Sequence, residues 1–362
     1  MPTPIPTPHG FRAAYAWTGD VLAALRGSLD HLGFIEILPA ILSERYEPGA
    51  RHSIAVLGDR ALPDVHTTQG PGGKPRVTVS GERFYYLPVS HCVEKQLALE
   101  HAQRVYCMAP CVRLLMDGED RSGRHLYTFF QAEIEWHTED VNEAHDTIEA
   151  ILSGFASRLR ERLRGSGRLD DRVQARLSAL EATPYERISF AQARERVRGI
   201  GGAANPHAAG DLTHAEEKVL SEAARAPFWL TRYPDGVRDS LYRRNDDGSF
   251  ATYDLILPHG EGELATGGLR PDSGADILAQ AQKFTAAPHR YYADWKQRTR
   301  LQTGGIGFGV ERLIRYCAGA SSVLDLRYAH DQGPNALIGA ESPDGRESAR
   351  PARGGTSSHG EP

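Results

Sequence analysis

A glycine-rich stretch near the C-terminal end constrains the fold more than any other feature of the sequence. Residues 304–309 contain four glycines, and a pattern typical of a helix begins at Glu311. Glycine has no Cβ atom, so its backbone can approach a ligand closely, and a helix start offers free N–H groups and the positive end of its dipole. We therefore predict a strand-to-helix turn at which Arg312 holds an anion. A structural turn followed by a surface arginine fits the same residues.

Composition bounds the size and class of the protein. The chain has 362 residues, of which 40% are apolar and 25% charged, so it can bury a large core in one big domain or two small ones. Its formal net charge of −5 supplies no broad positive field for nucleic acid. The four cysteines lack the paired spacing of a metal site, and the N-terminus lacks a signal pattern. With no apolar run long enough to span a membrane, these features predict a protein of the reducing cytoplasm.

The composition changes along the chain and suggests how it is organised. Residues 1–10 are rich in proline and are predicted to be loose. The main folded unit is predicted to span residues 11–338, with a variable helical insertion over about residues 166–225 that carries little chemistry. Residues 339–362 are rich in Gly, Ser, Pro and Arg and have no apolar period, which predicts a disordered tail.

Two strand patterns in the first half of the chain predict a long antiparallel hairpin. The first runs from Arg104 to Leu115 and the second from His125 to Trp136, with a charged loop between them. Because side chains alternate along a strand, one face of the second strand carries Phe129, Gln131, Glu133 and Glu135. Two carboxylates and an aromatic ring make this an unusual core face. A solvated outer face is the alternative interpretation, and the residues alone leave both open.

Two acidic residues lie in neighbouring predicted strands further along. Asp254 belongs to a strand over residues 251–258, and Glu263 lies at the start of the segment 262–270. In such a strand-turn-strand unit the two carboxylates could approach each other, and paired carboxylates that face phosphate would hold Mg²⁺. The alternative interpretation is two surface acids that flank a turn.

Three motifs, in order, resemble those of one enzyme family. Residues 32–39 (LGFIEILP) resemble motif 1, a dimer-forming helix and strand that end in proline. Residues 111–113 (CVR) with 124–133 (RHLYTFFQAE) resemble motif 2, and the glycine stretch with the Glu-Arg pair after it resembles motif 3. Over about residues 11–328 the chain is thus similar to the catalytic domain of class II aminoacyl-tRNA synthetases, in the subgroup for aspartate, asparagine and lysine. The resemblance implies a homodimer and an α+β fold, with an antiparallel β-sheet flanked by helices and a helical insertion.

The resemblance also implies a site for ATP and Mg²⁺. Arg113 would bind the α-phosphate and stabilise the charge that develops there during attack. Phe129 would stack on adenine, and Arg312 would cover the opposite face of the base and reach the γ-phosphate. His125 would contact the outer phosphates. The residues implied for catalysis are Arg113 and Arg312, those for the nucleotide are Arg113, His125, Phe129, Gly307, Gly309 and Arg312, and those for Mg²⁺ are Asp254 and Glu263.

An amino-acid pocket is implied beside the nucleotide. Glu133 matches the acid that holds the α-amino group in the family, and Arg270 matches the arginine that reads the side-chain carboxylate in aspartyl-tRNA synthetases. Lys95 would add a second cation, and two buried cations that face a neutral amide would lie uncompensated, so we predict aspartate or a close analogue. An exposed helix lysine is the alternative interpretation of Lys95. The residues implied for the substrate are Ser90, Cys92, Lys95, Gln131, Glu133 and Arg270.

The chain departs from the family pattern at several positions. Leu115 replaces the glutamate of motif 2, Thr128 replaces the glutamate before the stacking aromatic residue, and Cys92 replaces a glutamine of the pocket. The sequence also starts directly at motif 1, so the anticodon-binding barrel of the subgroup would be missing, and no basic patch replaces it. We therefore do not expect tRNA as a partner.

The residues and the resemblance together support three functional hypotheses. The favoured one is a tRNA-independent, AMP-forming ligase that adenylates aspartate or an analogue and transfers it to ammonia or another amine, as ammonia-dependent asparagine synthetases do. The second is a truncated synthetase of aspartyl or asparaginyl type that charges tRNA or a carrier. The third is a non-catalytic paralogue that binds an amino acid or a nucleotide, and the complete phosphate-binding set argues against it. The acceptor and the carboxylate that is activated stay open.

Overall fold

The computed structural model describes most of the chain between Pro8 and Leu326. The described residues are 8–43, 54–56, 65–69, 75–79, 85–114, 122–200, 210–238, 241–284 and 289–326. The predicted tail, residues 339–362, lies outside them. Of the N-terminal stretch that we predicted to be loose, residues 8–10 form the start of a helix, a position at which proline is tolerated.

Helices and strands are interspersed along the described chain. The helices are α1 (Pro8–His31), α2 (Cys92–Ala98), α3 (Val141–Leu163), α4 (Asp171–Glu181), α5 (Phe190–Gly199), α6 (His214–Ala223), α7 (Gly274–Phe284), α8 (Arg290–Thr299) and α9 (Val310–Ala318). The strands are β1 (Ile35–Glu36), β2 (Ala55–Val56), β3 (Val65–Gln69), β4 (Pro75–Val79), β5 (Tyr85–Tyr86), β6 (Arg104–Val112), β7 (Thr128–His137), β8 (Glu186–Ser189), β9 (Phe228–Tyr233), β10 (Phe250–Leu257), β11 (Gly262–Leu269) and β12 (Thr303–Gly309). Within the described part of the chain, none of the helices combines the length and the apolar character that crossing a membrane requires.

One large sheet organises the fold. Its eight strands lie in the order β1-β6-β7-β12-β11-β10-β9-β8, and neighbours pair antiparallel except for the parallel outer pairs β1–β6 and β8–β9. The predicted hairpin is formed by β6 and β7, with Cys107 opposite Glu133 and Cys111 opposite Phe129. The predicted fold class, a largely antiparallel sheet flanked by helices, is confirmed.

The main hydrophobic core lies on one face of the sheet. Apolar residues recur at helical spacing on α1, where Val21, Leu25 and Leu29 are fully buried. They belong to one cluster with Ile134 and Trp136 of β7. The side chains that alternate with these two on β7 therefore point to the opposite face of the sheet, as we predicted.

That opposite face, called here the pocket face, is covered in part by α2, α7 and α8. A smaller apolar cluster joins Val93 of α2, Ile277 of α7 and Tyr292 of α8. Glu133 and Glu135 of β7 lie on the pocket face and are 2% and 0% exposed. The alternative of a solvated outer face is therefore excluded, and both carboxylates must have polar partners.

The predicted insertion, residues 166–225, contributes to the main sheet. Its strand β8 extends the sheet by pairing with β9. Glu261, in the turn between β10 and β11, bonds Arg176 of α4 at 2.8 Å and Arg315 of α9 at 2.6 Å. Ser221 of α6 accepts a hydrogen bond from the backbone N–H of Gly262 at 2.9 Å. These contacts place α6 beside β11, near the pocket face.

Candidate active site

Glu133 lies at the centre of a cluster of buried polar groups. Its carboxylate accepts hydrogen bonds from Ser90 Oγ at 2.6 Å, from the backbone N–H of His91 at 3.2 Å and from Lys95 Nζ at 2.6 Å. His91 directly precedes helix α2, and Lys95 lies one helical turn beyond it, so both residues face the same carboxylate. Burial opposes the charge of Glu133, yet Lys95 and these hydrogen bonds lower its pKa to about 2. Glu133 is therefore ionised and suited to an ammonium group.

A second buried carboxylate, Glu135, holds Arg270. Arg270 donates two hydrogen bonds to it, from Nε at 2.8 Å and from Nη2 at 2.9 Å, and Thr303 Oγ1 donates a third at 3.1 Å. The remaining guanidinium nitrogen, Nη1, is buried, and none of the described residues accepts a hydrogen bond from it. Arg270 thus keeps one donor for the oxygen of a ligand.

The glycines of the C-terminal stretch make room for the two carboxylates. They form the strand β12, where the register places Gly305 opposite Glu135 and Gly307 opposite Glu133. A Cβ atom on Gly305 would lie 1.7 Å from Glu135 Oε2, and one on Gly307 would lie 3.3 Å from Glu133 Oε2. The predicted turn is instead a central strand that leads directly into α9, and its glycines leave space for the side chains of Glu133 and Glu135.

Lys95 lies between the two carboxylates. Its Nζ is 2.6 Å from Glu133 and 3.4 Å from Glu135, and the side chain is 1% exposed, which excludes the exposed-lysine interpretation. Two cations, Lys95 and Arg270, therefore face two anions. The preference for an aspartate substrate rested on cations that lack compensation, and Glu133 and Glu135 supply that compensation.

Arg113 and Gln131 lie on the same face of the sheet, beside these charges. Arg113 Nε donates to the carbonyl of Val89 at 2.8 Å, and Nη2 donates to Gln131 Oε1 at 3.3 Å. The guanidinium carbon lies 5.0 Å from the centre of the Phe129 ring. Gly309 pairs with Gln131 at the end of β12. Arg113 itself is exposed, so its charge is accessible to an anionic ligand.

Cys92 lies at the start of α2, in the apolar cluster with Ile277 and Tyr292. The amide of Gln96, one turn further along the helix, donates to the Cys92 carbonyl at 2.9 Å and accepts from Tyr292 Oη at 2.9 Å. Cys92 is 6% exposed. An amide group is therefore present one helical turn beyond Cys92, although it is engaged by protein groups.

A second group of charges surrounds Arg312 and Glu263. Arg312 Nη1 donates to Glu263 Oε1 at 2.9 Å and to the Glu263 carbonyl at 3.1 Å, and Arg312 Nε donates to the carbonyl of Arg124 at 3.4 Å. His125 Nδ1 lies 2.7 Å from Ser122 Oγ. Burial and the charges of Arg312 and Arg124 lower the pKa of His125 to about 3, so this ring is neutral near pH 7.

Asp254 lies on β10 opposite Thr266, and Glu263 lies on the adjacent strand β11 opposite Ile256. Tyr233 and Arg238 both donate to Asp254 Oδ2. Burial, supported by Glu263 and opposed by Arg238, raises the pKa of Asp254 to about 7. Asp254 Oδ1 is buried and has no hydrogen-bond partner among the described residues.

An orphaned carboxylate oxygen beside a second carboxylate fits a hard cation such as Mg²⁺. In the described ranges, however, no three His, Cys, Asp or Glu side chains are grouped so that they could hold a metal ion. Asp254 and Glu263 would thus supply only part of the ligand set, and phosphate oxygens and water would have to supply the rest.

Four charged residues of the site have no function predicted from the sequence. Glu135 shares a strand face with Glu133, and this alternation was the available signal. Arg124 directly precedes His125 in motif 2, whereas Arg238 and Glu217 come from segments outside the three motifs. Glu217 reaches Arg124 across 93 residues of sequence, a contact that local patterns do not encode.

Comparison with known proteins places the chain in a family. Residues 12–328 match the family of tRNA synthetases class II (D, K and N). The chain is 29% identical over 252 residues to the asparagine–tRNA ligase of Myxococcus xanthus, with 66% of this chain and 53% of that protein covered. It is 26% identical over 264 residues to the probable cytoplasmic asparagine–tRNA ligase of Encephalitozoon cuniculi, with coverage of 70% and 57%. The chain thus spans about half the length of these relatives.

Solved structures share the fold. The asparaginyl-tRNA synthetase from Pyrococcus horikoshii complexed with asparaginyl-adenylate superposes with a TM-score of 0.77 at 21% identity, over 92% of this chain and 76% of that chain. The aspartyl tRNA synthetase from Entamoeba histolytica gives a TM-score of 0.64 at 17% identity, over 87% and 57%. At these identities the likeness establishes the fold alone.

Proposed function

Because the chain belongs to the class II tRNA synthetases (D, K and N), we propose that it is an ATP-dependent ligase that activates an amino acid as an aminoacyl-adenylate. The proposed amino acid is asparagine or aspartate, and the proposed acceptor in the second step is tRNA. The amino acid would bind at Glu133 and Arg270, and ATP would bind at Arg113, Phe129, His125 and Arg312.

One observation carries this proposal. An ionised carboxylate and an unpaired guanidinium nitrogen belong to the same buried cluster of charges: Glu133 has its pKa lowered to about 2, and Arg270 Nη1 has no acceptor among the described residues. Lys95 and Glu135 connect the two. An α-amino acid with an oxygen on its side chain satisfies both groups, since its ammonium donates to one and its side-chain oxygen accepts from the other.

The proposed reaction starts at the α-carboxylate of the bound amino acid. One carboxylate oxygen attacks the α-phosphorus of ATP and forms a new O–P bond, while the bond to the bridging oxygen breaks and pyrophosphate leaves with the electron pair. Arg113 would neutralise charge on the α-phosphate during this step. Mg²⁺, held by Asp254 and Glu263, would neutralise the departing pyrophosphate. Positioning and charge suffice, so no side-chain nucleophile is needed.

The charge balance of the pocket bears on the choice of amino acid. Lys95 and Arg270 are each paired with a buried carboxylate. An aspartate side chain would add a negative charge beside these two ion pairs, whereas the asparagine amide would add none. We therefore place asparagine before aspartate, in contrast to the preference drawn from the sequence.

The relatives bear on the acceptor. The relatives from Myxococcus xanthus and Encephalitozoon cuniculi are asparagine–tRNA ligases, which supports the second of the three hypotheses, a synthetase-like enzyme that charges tRNA. They give no support to transfer to ammonia or another amine, or to the expectation that tRNA is not a partner. Both expectations give way to tRNA as the proposed acceptor.

We also propose a dimer interface at the segment that follows α1. This segment exposes a run of apolar side chains: Ile35, Leu38, Ile41 and Leu42. Leu38 is 94% exposed, and clustered apolar exposure is typical of a surface that a partner covers. The proposed partner is a second copy of this chain, as the resemblance to motif 1 implies.

Pyrophosphate exchange tests the activation step. The protein is incubated with Mg·ATP and labelled pyrophosphate, in the presence of each standard amino acid in turn. We expect exchange that depends on asparagine or aspartate, with the higher kcat/KM for asparagine, and no exchange in Arg113→Ala. Formation of aminoacyl-tRNA or of free asparagine from aspartate and ammonium then identifies the acceptor. A folded protein that binds Mg·ATP but gives no exchange with any of them would contradict the proposal.

A further inference from the structure

Helix α6 of the predicted insertion reaches the candidate nucleotide site. In its first turns, Glu217 Oε1 accepts hydrogen bonds from Arg124 Nη1 at 2.8 Å and from the backbone N–H of Glu263 at 2.7 Å. His214, the first residue of the helix, has Nε2 3.4 Å from the same Arg124 nitrogen, and its ring centre lies 5.6 Å from that of His125. The insertion thus touches residues to which we assign nucleotide and Mg²⁺ binding.

Arg124 transmits this contact to the rest of the site. Its Nη2 donates to the carbonyl of Glu263 at 3.2 Å, and its own carbonyl accepts from Arg312 Nε at 3.4 Å. It also directly precedes His125 in the chain. A displaced Arg124 would therefore disturb the Arg312–Glu263 pair and the position of His125 together.

The glycine at position 262 leaves room for the ion pair between Glu217 and Arg124. Gly262 has a φ of +74°, and a Cβ atom on it would lie 2.4 Å from Glu217 Oε1 and 2.5 Å from Arg124 Nη1. The ion pair therefore occupies space that a side chain would fill. Thr213 caps the start of α6 in a capping box with Glu216, which fixes the helix end that carries Glu217.

Glu217 should affect the binding of a polyanionic ligand in two opposite ways. Its negative charge alone would weaken the binding of triphosphate through repulsion. Its hold on Arg124 would strengthen that binding, because the Arg124 side chain is only 7% exposed and loses its ion-pair partner when Glu217 is removed. The sign of the effect on ATP affinity therefore separates a positioning role from a simple charge effect.

We propose that Glu217 is a positioning residue for the outer phosphates of ATP. It holds Arg124, and through Arg124 it holds the groups that meet the β- and γ-phosphates, so that α6 completes the nucleotide site. This inference rests on the proposed function, since it requires ATP to bind at Arg312 and His125.

Calorimetric titration with Mg·ATP and with AMP tests the inference, because AMP lacks the outer phosphates. The variants are Glu217→Ala, Glu217→Gln and the control Glu222→Ala on the same helix, where Glu222 has a side chain 55% exposed. We expect Glu217→Ala to weaken Mg·ATP binding on the order of tenfold and to leave AMP binding unchanged. Glu217→Gln, which keeps an acceptor oxygen, should weaken Mg·ATP binding less, and Glu222→Ala should match the wild type.

Several results would overturn the inference. Equal weakening of Mg·ATP and AMP would indicate a general structural role, and unchanged or tighter Mg·ATP binding in both Glu217 variants would indicate charge alone. If Glu217→Ala does not fold, the comparison of Mg·ATP binding with AMP binding is made with Glu217→Gln alone. A wild-type protein that does not bind Mg·ATP overturns both the inference and the proposed function. A wild type that binds Mg·ATP without amino-acid-dependent exchange overturns the proposed function only.

Discussion

Lys95 and Glu133 form an ion pair of 2.6 Å in which neither side chain is more than 3% exposed. The pair joins α2 to the central strand β7, and each partner alone would be a buried charge without compensation. Ser90 and the backbone of His91 donate to the same carboxylate. The shape of the proposed amino-acid pocket therefore depends on this pairing.

Removal of one partner should destabilise the protein. We expect Lys95→Met to lower the free energy of unfolding by about 3–5 kcal/mol, since it leaves the Glu133 carboxylate buried without its cation. The double variant Lys95→Met/Glu133→Gln should lose less than the sum of the two single variants. Urea unfolding measures all three, with Lys218→Met, at a side chain 62% exposed, as a control that changes stability by less than about 0.5 kcal/mol. Strict additivity would contradict the coupling of the pair.

The glycines of β12 should differ in their tolerance of a methyl group. Gly305→Ala would place a Cβ atom 1.7 Å from Glu135 Oε2 and 2.7 Å from Arg270 Nη2, so the buried pair must separate. We expect a loss of about 3 kcal/mol or more in the free energy of unfolding. Gly307→Ala, with its nearest contacts at 3.3 Å, should cost about 1 kcal/mol. Thermal or urea unfolding of both variants checks the order, and equal costs would contradict the assigned register.

Local patterns predicted part of this site and not the rest. The alternation of β7 placed Glu133 and Glu135 on one face, because period two is a property of the strand itself. The glycines around Gly305 predict a turn at which the backbone approaches a ligand closely, but they lie in a strand, where the buried Glu135 opposite Gly305 requires the space. Arg238 and Glu217 meet their partners only through tertiary contacts, so neither carried a local signal.

His145 should make stability depend on pH. It is 2% exposed and lies between Trp229 and Tyr253, with ring centres at 4.7 and 5.1 Å. Burial lowers the pKa of His145 to about 3, against about 6.5 in the unfolded chain. Below pH 6.5 the unfolded chain binds a proton that the folded chain does not. The contribution of His145 to the free energy of unfolding is therefore complete above pH 6.5, and it is lost as the pH falls from 6.5 towards 3.

The size of this effect follows from the slope of about 1.4 kcal/mol per pH unit. Between pH 6.5 and pH 5 the wild type should lose about 2 kcal/mol through His145. Neither ring nitrogen of His145 has a hydrogen-bond partner in the described part of the chain, so His145→Phe should fold. Between pH 6.5 and pH 5 its free energy of unfolding should fall by about 2 kcal/mol less than that of the wild type. Urea unfolding at several pH values compares the two, with His101→Gln at an exposed position as the control. Identical pH profiles would refute the assignment.

Asp254 should couple Mg²⁺ binding to pH. Its pKa is raised to about 7, so in the absence of metal its contribution to stability is present at acidic pH and is lost as the pH rises through 7. Mg²⁺ requires the carboxylate form. The Mg²⁺ concentration for half-maximal pyrophosphate exchange should therefore fall about tenfold per pH unit up to pH 7 and then level off. Asp254→Asn should raise this concentration and remove its pH dependence; an unchanged titration would exclude Asp254 as a ligand.

The exposed apolar run after α1 should control the oligomeric state. We expect the wild type to sediment at twice the mass of one chain and Leu38→Asp to sediment as a monomer, because the charge would be buried in an apolar contact. Ile200→Asp, at an exposed apolar residue of the insertion, is the matched control and should remain dimeric. A dimeric Leu38→Asp would place the interface elsewhere.

Leu38→Asp should also affect the binding of the amino acid. The backbone N–H of Ala40, two residues after Leu38, donates to Glu94 Oε1 at 2.9 Å, and Glu94 Oε2 lies 3.0 Å from His91 Nδ1. The backbone of His91 in turn binds Glu133. If dimerisation orders residues 38–40, the monomer should show a higher KM for the amino acid in pyrophosphate exchange while its KM for ATP changes less. Equal changes in both KM values would mean that the interface stabilises the whole fold and does not act through Glu94 and His91 on the amino-acid site.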